Sequence, residues 1–418
     1  MNNHRLNFCR FLAILALILN YEGGFGQTKS QESKRLLIKY ESRAHLLQKQ
    51  KSKQLRNGHL LKTFPNLKMQ IWEMPANSLA GRALDPLALT NEQEEGLGIE
   101  WIEKDILFKH ALLPNDEYFT NQWNLLNTGQ YDASFLVDIQ ATQAWEFSQG
   151  SEAVVVGVID SGIDWRHPDL AENIWQNLGE DLDGDGRVLE QINGVWQFDP
   201  DDIDSLDSDG NGYVDDFVGW DFVNNDNDPS DDHIFGHGTH IAGIIAARGN
   251  NQIGISGISW YSKLMPLKFL NAQGSGYSSA AIEALLYAQQ MGAQITNNSW
   301  GGGEYSQALL EAINQFEGLF VAAAGNSFGS NNDLNPLFPS SYDLPNLISV
   351  AATDYRDQLA DFSNFGLQSV DVCAPGVGIY SSLPNGKYGF LNGTSMAAPH
   401  VVGALCLLLD KNPSITTL

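Results

Sequence analysis

Through most of the chain, short apolar runs alternate with longer stretches of helical character. Residues 153–159 (AVVVGVI) are a continuous, largely β-branched run, the pattern of a parallel strand covered on both faces. Residues 264–270, 294–299, 319–324 and 347–352 give further strands of this kind. Between them, residues 239–248, 278–291 and 305–316 carry helical patterns. Such alternation predicts an α/β domain: a doubly wound, mostly parallel sheet with helices on both faces. In that architecture chemistry gathers beyond the carboxyl ends of the strands.

The first 110 residues are patterned differently. His4, Arg5 and Arg10 precede an unbroken apolar run at 11–19 (FLAILALIL), then small and polar residues up to Gln27. This predicts a signal peptide at 1–26 and a secreted protein. The run is too short to span a bilayer, which takes about 20 residues. Residues 27–62 are rich in Lys, Arg, Gln and Leu without Pro, and predict solvated helix. Short apolar runs within 66–75 and 98–108 predict strands, so 27–110 is expected to form a small α+β unit. A linker rich in Asn, Asp and Gly follows at 113–130, which puts the boundary near residue 110 and the main domain at 111–418.

Composition adds a strong asymmetry. Hydrophobic residues are 43% of the chain and the net charge is −26. Residues 1–110 hold 16 basic and 11 acidic residues; the remainder holds 8 basic and 39 acidic. An acidic main domain lacks the basic footprint of a nucleic-acid binder. Beyond the leader only Cys373 and Cys406 remain, which makes no disulfide framework and predicts two free thiols.

Three segments carry candidate chemistry. In VVVGVIDSGID (154–164) a buried strand ends on Asp160, at the functional rim of the sheet. In GHGTHIAGIIAA (236–247) His237 opens a helix of small and apolar residues that must be buried, which holds its imidazole rigidly. His240 lies one turn on and is expected in the core; a metal set of His233, His237 and His240 is the alternative. In NGTSMAAPHVVGALCLLL (392–409) Ser395 stands where a loop becomes a buried helix, and Pro399 requires that helix to begin close by. A helix start offers free N–H groups and a positive dipole end, which favour a nucleophilic oxygen. His237 can take the hydroxyl proton and Asp160 can orient the imidazole. Asn326, after the run FVAAAG, can donate to the oxyanion.

The order Asp, His, Ser, with DSGID, HGTHIAG, AAAGN and GTSMAAP, resembles the subtilisin-like serine proteases from about residue 114 to the end of the chain. The resemblance implies a serine endopeptidase with Asp160, His237 and Ser395 as triad and Asn326 as oxyanion donor. It also implies that Gly274, Ser275 and Gly276, with Ser299, Trp300 and Gly301, pair with an extended peptide, and that Ala324 and Gly325 form a wall of the specificity pocket. Asp169 matches a position that often binds calcium, and residues 27–110 would be a propeptide that inhibits its own domain until cut near 108–118. Family members usually continue past the serine helix, so the chain is expected to be truncated at its C-terminus. The expected partners are peptide or protein substrates, with no nucleic acid, no membrane span and a monomeric state. A catalytically inactive calcium-binding or adhesion homologue, and a peptide ligase or macrocyclase on the same fold, are the alternatives.

The spacing of 77 residues from Asp160 to His237 takes in two acidic loops. Asp181, Asp183 and Asp185 alternate, as do Asp207, Asp209 and Asn211, with Asp215 beyond; each series has Gly at its sixth position. This matches the opening of a calcium loop. The closing Glu is absent at position twelve, where Ile192 and Val218 stand. Structural calcium is the expected cofactor, with no organic one.

Overall fold

The computed structural model describes residues 34–42, 58–74, 99–105, 113–302 and 304–413. The segment expected as signal peptide, residues 1–26, lies outside them. The chain divides into two compact units, one of residues 22–110 and one of residues 111–418 together with 1–21.

The smaller unit contains β1 (Lys34–Tyr40), β2 (His59–Phe64), β3 (Met69–Met74) and β4 (Ile99–Lys104). They form one antiparallel sheet in the order β2-β3-β1-β4. This corrects the helix expected over 27–62: residues 34–40 and 59–62 are strand, and no helix occurs among the described residues of this unit. The physical signal was alternation. Leu36, Ile38 and Tyr40 occupy every second position of β1 and bury one face against Trp72 and Met74. On the opposite face of β1, Arg35 is exposed and Leu37 and Lys39 are half-buried.

The larger unit is built on β5 (Val155–Asp160), β8 (Trp220–Asp221), β9 (Lys263–Lys268), β10 (Ile295–Asn298), β11 (Leu319–Ala323), β12 (Leu347–Thr353) and β13 (Val372–Pro375). These pair in the order β13-β12-β11-β10-β5-β9-β8, every pair parallel. Two antiparallel hairpins stand apart from the sheet: β6 (Leu189–Ile192) with β7 (Val195–Phe198), and β14 (Ile379–Leu383) with β15 (Lys387–Leu391). The helices are α1 (Ala141–Ala144), α2 (His237–Ala246), α3 (Ser278–Gln290), α4 (Gln307–Gln315) and α5 (Thr394–Lys411).

Alternation along the strands distributes side chains to two layers. Val156, Val158 and Val321 pack with residues of α2 and α5 on one face. Ile159, Leu267 and Phe320 pack with residues of α3 and α4 on the other. Both sheet faces are therefore covered, which is why the strands read as continuous apolar runs. Fully burying each such side chain contributes roughly 1.5–3 kcal/mol. From β5 the chain reaches β9 on one side and β10 on the other. The carboxyl end of β5, which is Asp160, is therefore at the switch point of the sheet. Neither Cys373, half-buried, nor Cys406, buried, is in a disulfide. Among the described residues no helix is long and apolar enough to cross a membrane.

Candidate active site

Asp160, the last residue of β5, is fully buried, and His237 is the first residue of α2. His237 Nδ1 lies 2.7 Å from Asp160 Oδ1. A carboxylate can only accept, so Nδ1 carries the hydrogen and Nε2 presents a lone pair. Asp160 Oδ1 also accepts from the Ser161 N–H at 2.8 Å, while its Oδ2 has no hydrogen-bond partner among the described residues. Burial of His237 alone would lower its pKa, but the charge and hydrogen bond of Asp160, aided by the charge of Asp231, raise it above the ordinary value of 6.5. The pair is built to accept a proton and stabilise the imidazolium.

A second layer fixes this pair, and sequence reading missed it. Asp231 Oδ2 accepts from the Thr239 N–H at 2.9 Å and from Thr239 Oγ1 at 2.7 Å, which caps α2 from outside the helix. Asp231 Oδ1 accepts from Ser161 Oγ at 3.0 Å, and Ser161 Oγ in turn accepts from the Gly238 N–H at 3.0 Å. Burial raises the Asp231 carboxyl to about 6 despite these donors. Gly238 is obligatory here, because a Cβ would stand 2.0 Å from the Gly162 carbonyl. His240 is buried, with Nε2 at 3.1 Å from the Ile379 carbonyl, and burial lowers its pKa to about 3. It is a neutral core residue, and its ring faces that carbonyl.

Ser395 is the second residue of α5. Pro399 lies four residues on and has no N–H, so the Ser395 carbonyl loses its helical donor. Ser299 Oγ replaces it at 2.9 Å. The exchange is mutual, since Ser395 Oγ donates to the Ser299 carbonyl at 3.1 Å. In this rotamer the hydroxyl faces the Ser299 carbonyl, and a rotation about χ1 is needed to turn it to another partner. Asn326 follows β11 and is exposed. Its Oδ1 accepts from the Thr394 N–H at 2.9 Å and from Thr394 Oγ1 at 3.0 Å. The amide oxygen therefore caps α5, which turns Nδ2 the other way. A Cβ at Gly393 would be 3.5 Å from both Asn326 Nδ2 and the Ser395 nitrogen, so these two donors flank one small space.

The expected substrate segments border the same rim. Gly274 and Ser275 belong to a tight turn, with the Gly274 N–H bonded to the Asn271 carbonyl at 2.8 Å and the Asn271 N–H to the Ser275 carbonyl at 2.9 Å. Residues 274–278 and Gly301 are exposed. Gly276 packs its backbone onto the Phe269 carbonyl, where a Cβ would come within 2.2 Å. Trp300 stacks edge-on against Phe269 with centroids 4.8 Å apart. Ala324 is buried, and its carbonyl accepts from Asn332 Nδ2 at 2.9 Å. Between the two walls sits Leu337, which sequence reading did not single out. Its Cδ2 would be 2.3 Å from a Cβ on Gly325 and 3.6 Å from one on Gly301.

The acidic residues fall into separate places. Asp169 is buried; its Oδ1 accepts from Asn251 Nδ2 at 2.9 Å and its Oδ2 from the Ile255 N–H at 2.8 Å. Burial pushes its carboxyl up to about 7, helped by the nearby Asp116. Asp207 and Asp209 each bring an oxygen within 4.8 Å of one from Glu180. Glu180 is fully buried, and its Oε2 has no partner among the described residues. A buried, unpartnered carboxylate oxygen beside two more carboxylates is a donor set that suits a hard cation such as calcium. Asn211 Nδ2 bonds Asp209 and Asp216. Asp215 is directed elsewhere, accepting from the Ser205 N–H at 3.1 Å. Asp181 and Asp183 gather with Asp202, and Asp183 and Asp185 with Asp199. Glu180, Asp199 and Asp202 were not legible as partners because they stand outside the alternating series.

The subtilase family model matches residues 151–417. A thermophilic serine proteinase of Bacillus sp. (strain AK1) is 35% identical over 317 residues, 75% of this chain and 64% of that protein. Thermitase of Thermoactinomyces vulgaris is 34% identical over 308 residues, 73% of this chain and 88% of that protein. Subtilisin-like protease 1 of Plasmodium berghei is 33% identical over 323 residues, 72% of this chain and 49% of that protein. The chain thus spans less than two thirds of the first of these and about half of the last. On the family model and on thermitase alike, this chain belongs to the subtilase family.

Proposed function

We propose that the protein is a secreted serine endopeptidase made as a precursor, cutting peptide bonds through an acyl-enzyme on Ser395. The observation that carries this reading is the pairing, at 2.7 Å, of buried Asp160 with the half-buried His237 at the switch point of the sheet. Ser395 Oγ attacks the scissile carbonyl while its proton passes to His237 Nε2. The oxyanion is met by Asn326 Nδ2 and the Ser395 N–H at the start of α5. Collapse breaks the C–N bond, and His237 returns the proton to the leaving amine. Water then repeats the sequence to release the acid. Substrate lies extended between residues 274–276 and 299–301, with its side chain in a pocket floored by Leu337.

Residues 27–110 act as propeptide, a role supported by the charge of the N-terminal part opposite to that of the main domain. Calcium is held by Glu180, Asp207 and Asp209, whose oxygens lie within 4.8 Å of one another, and Asp169 remains the candidate that the family resemblance offers. Calcium braces the loops and takes no part in the chemistry. The test is labelling by an active-site serine phosphonate, on wild type and on Ser395→Ala, with N-terminal processing followed by mass spectrometry. Labelling of wild type alone, with loss of about the first 110 residues, is expected. Folded wild-type protein that takes no label would overturn the reading in favour of an inactive homologue.

A further inference from the structure

The loop at 181–186 opens like a calcium loop but has Ile192 at the position where the closing ligand is expected, inside strand β6. The structure shows what replaces that ligand. Hairpin β6–β7 carries the chain away and back, and the Asp199 N–H bonds the Val188 carbonyl at 3.1 Å to close its base. The returning segment then brings Asp202 onto the loop, 21 positions after Asp181. One carboxylate oxygen from each of Asp181, Asp183 and Asp202 lies within 4.8 Å of the others.

Asp202 is fully buried. Its Oδ1 accepts from the Leu182 N–H at 2.8 Å and the Asp183 N–H at 3.4 Å. Its Oδ2 is buried and has no hydrogen-bond partner among the described residues. A carboxylate oxygen withdrawn from water with no donor is costly unless a cation meets it. The loop itself is already shaped. Asp181 accepts from the N–H groups of Gly184 at 2.8 Å and Gly186 at 2.9 Å, and both glycines adopt positive φ. Residues 178–216 contain thirteen acidic residues and a single basic one, Arg187, so protein charge does not supply the counter-ion.

We propose that Asp181, Asp183 and Asp202 form a calcium site closed across the β6–β7 hairpin, distinct from the site at Glu180. All its ligands are carboxylate oxygens, which selects a hard divalent cation. The Asp183–Asp185–Asp199 group has no comparable unpartnered oxygen and is not a separate site. The hairpin leads to the catalytic strand: Phe198 stacks on Trp165 with centroids 4.5 Å apart, and Trp165 follows Asp160 by five residues. The bound ion therefore pins the hairpin against the segment that leaves the active-site aspartate. The proposal rests on reading the insertion as calcium-binding, and is independent of whether Ser395 reacts.

The test uses chelator-treated full-length Ser395→Ala protein, titrated with calcium alone and followed by calorimetry and native mass spectrometry. Adding Asp202→Asn or Asp183→Asn is expected to remove one bound ion or weaken it by at least about tenfold. Glu180→Gln should remove a different ion, so that the Glu180→Gln, Asp202→Asn double variant loses two. Calcium should protect residues 189–198 from added protease in the parent and in Glu180→Gln, but not in Asp202→Asn. An unchanged count and affinity in Asp202→Asn and Asp183→Asn would overturn the site, as would a parent protein that binds no calcium. If Asp202→Asn does not fold, Asp183→Asn decides, because Asp183 is exposed. Loss of the Glu180 ion alone would separate failure of the general calcium reading from failure of this one.

Discussion

The rim around Asp160 and the insertion at 178–216 solve opposite problems. At the rim, a carboxylate faces an imidazole, and neighbouring N–H and O–H groups fix several of the surrounding oxygens. In the insertion, carboxylates crowd together and at least two buried oxygens have no partner among the described residues. The first region leaves one buried oxygen, Asp160 Oδ2, without a partner among the described residues, but sets a histidine beside that carboxylate. In the second, the proposed calcium ions would supply the opposing charge. The comparison predicts that removing ions disturbs the insertion first, and that changing rim residues disturbs turnover with little effect on stability.

The sharpest blow to the rim is Asn326→Leu. It removes the Nδ2 donor, and kcat should fall about 10²–10³-fold with KM little changed. It also removes the cap on Thr394, so a melting curve should accompany the kinetics. A loss of stability of about 1 kcal/mol belongs to the cap, and the rest of the effect to the transition state. Equal falls in kcat/KM and in folded fraction would contradict the assignment.

Chelation is the counterpart for the insertion. Losing ions held at about a hundred times their dissociation constant costs about 2.7 kcal/mol per site. In a domain of about 300 residues that lowers Tm by about 4 °C per site. Phosphonate labelling of Ser395 at low temperature should survive, because no ion touches the reacting groups. If labelling vanished while the fold persisted, the two regions would not be separable.

The two regions also differ in how far the sequence revealed them. The buried strands and the helices α2 and α5 were legible because parallel strands read as apolar runs and because Pro399 limits where its helix can start. Asp160, His237 and Ser395 stand at element ends, where local pattern identifies them. The carboxylates proposed to close the insertion were hidden, since Asp202 reaches Asp181 only after a hairpin returns the chain. Leu337 was hidden for a similar reason: what makes it a floor is its contact with glycines far away in sequence. In the smaller unit, composition pointed to helix where alternation of Leu36, Ile38 and Tyr40 pointed to strand, and alternation was the better guide.

Leu337→Gly tests that floor. With the side chain gone, the pocket between Gly301 and Gly325 deepens, and kcat/KM for peptides with an aromatic residue before the scissile bond should rise about tenfold relative to those with alanine. A uniform fall for all substrates would mean that Leu337 supports the backbone rather than the pocket.

The smallest expected effect is the most specific to the rim. Asp231 caps α2 and adds negative charge beside His237, whose pKa it helps to raise. The base works only when neutral, so kcat/KM climbs as pH rises through that raised pKa. Above about pH 6 Asp231 is itself ionised, and its charge is felt across the climbing limb. Asp231→Asn keeps an oxygen that can accept from Thr239 but removes the charge. The limb should then move to lower pH by up to about one unit, with the plateau at high pH nearly retained. A merely structural role would lower the plateau and leave the midpoint in place. A shift to higher pH would reverse the sign of the argument and show that the charge of Asp231 does not reach His237.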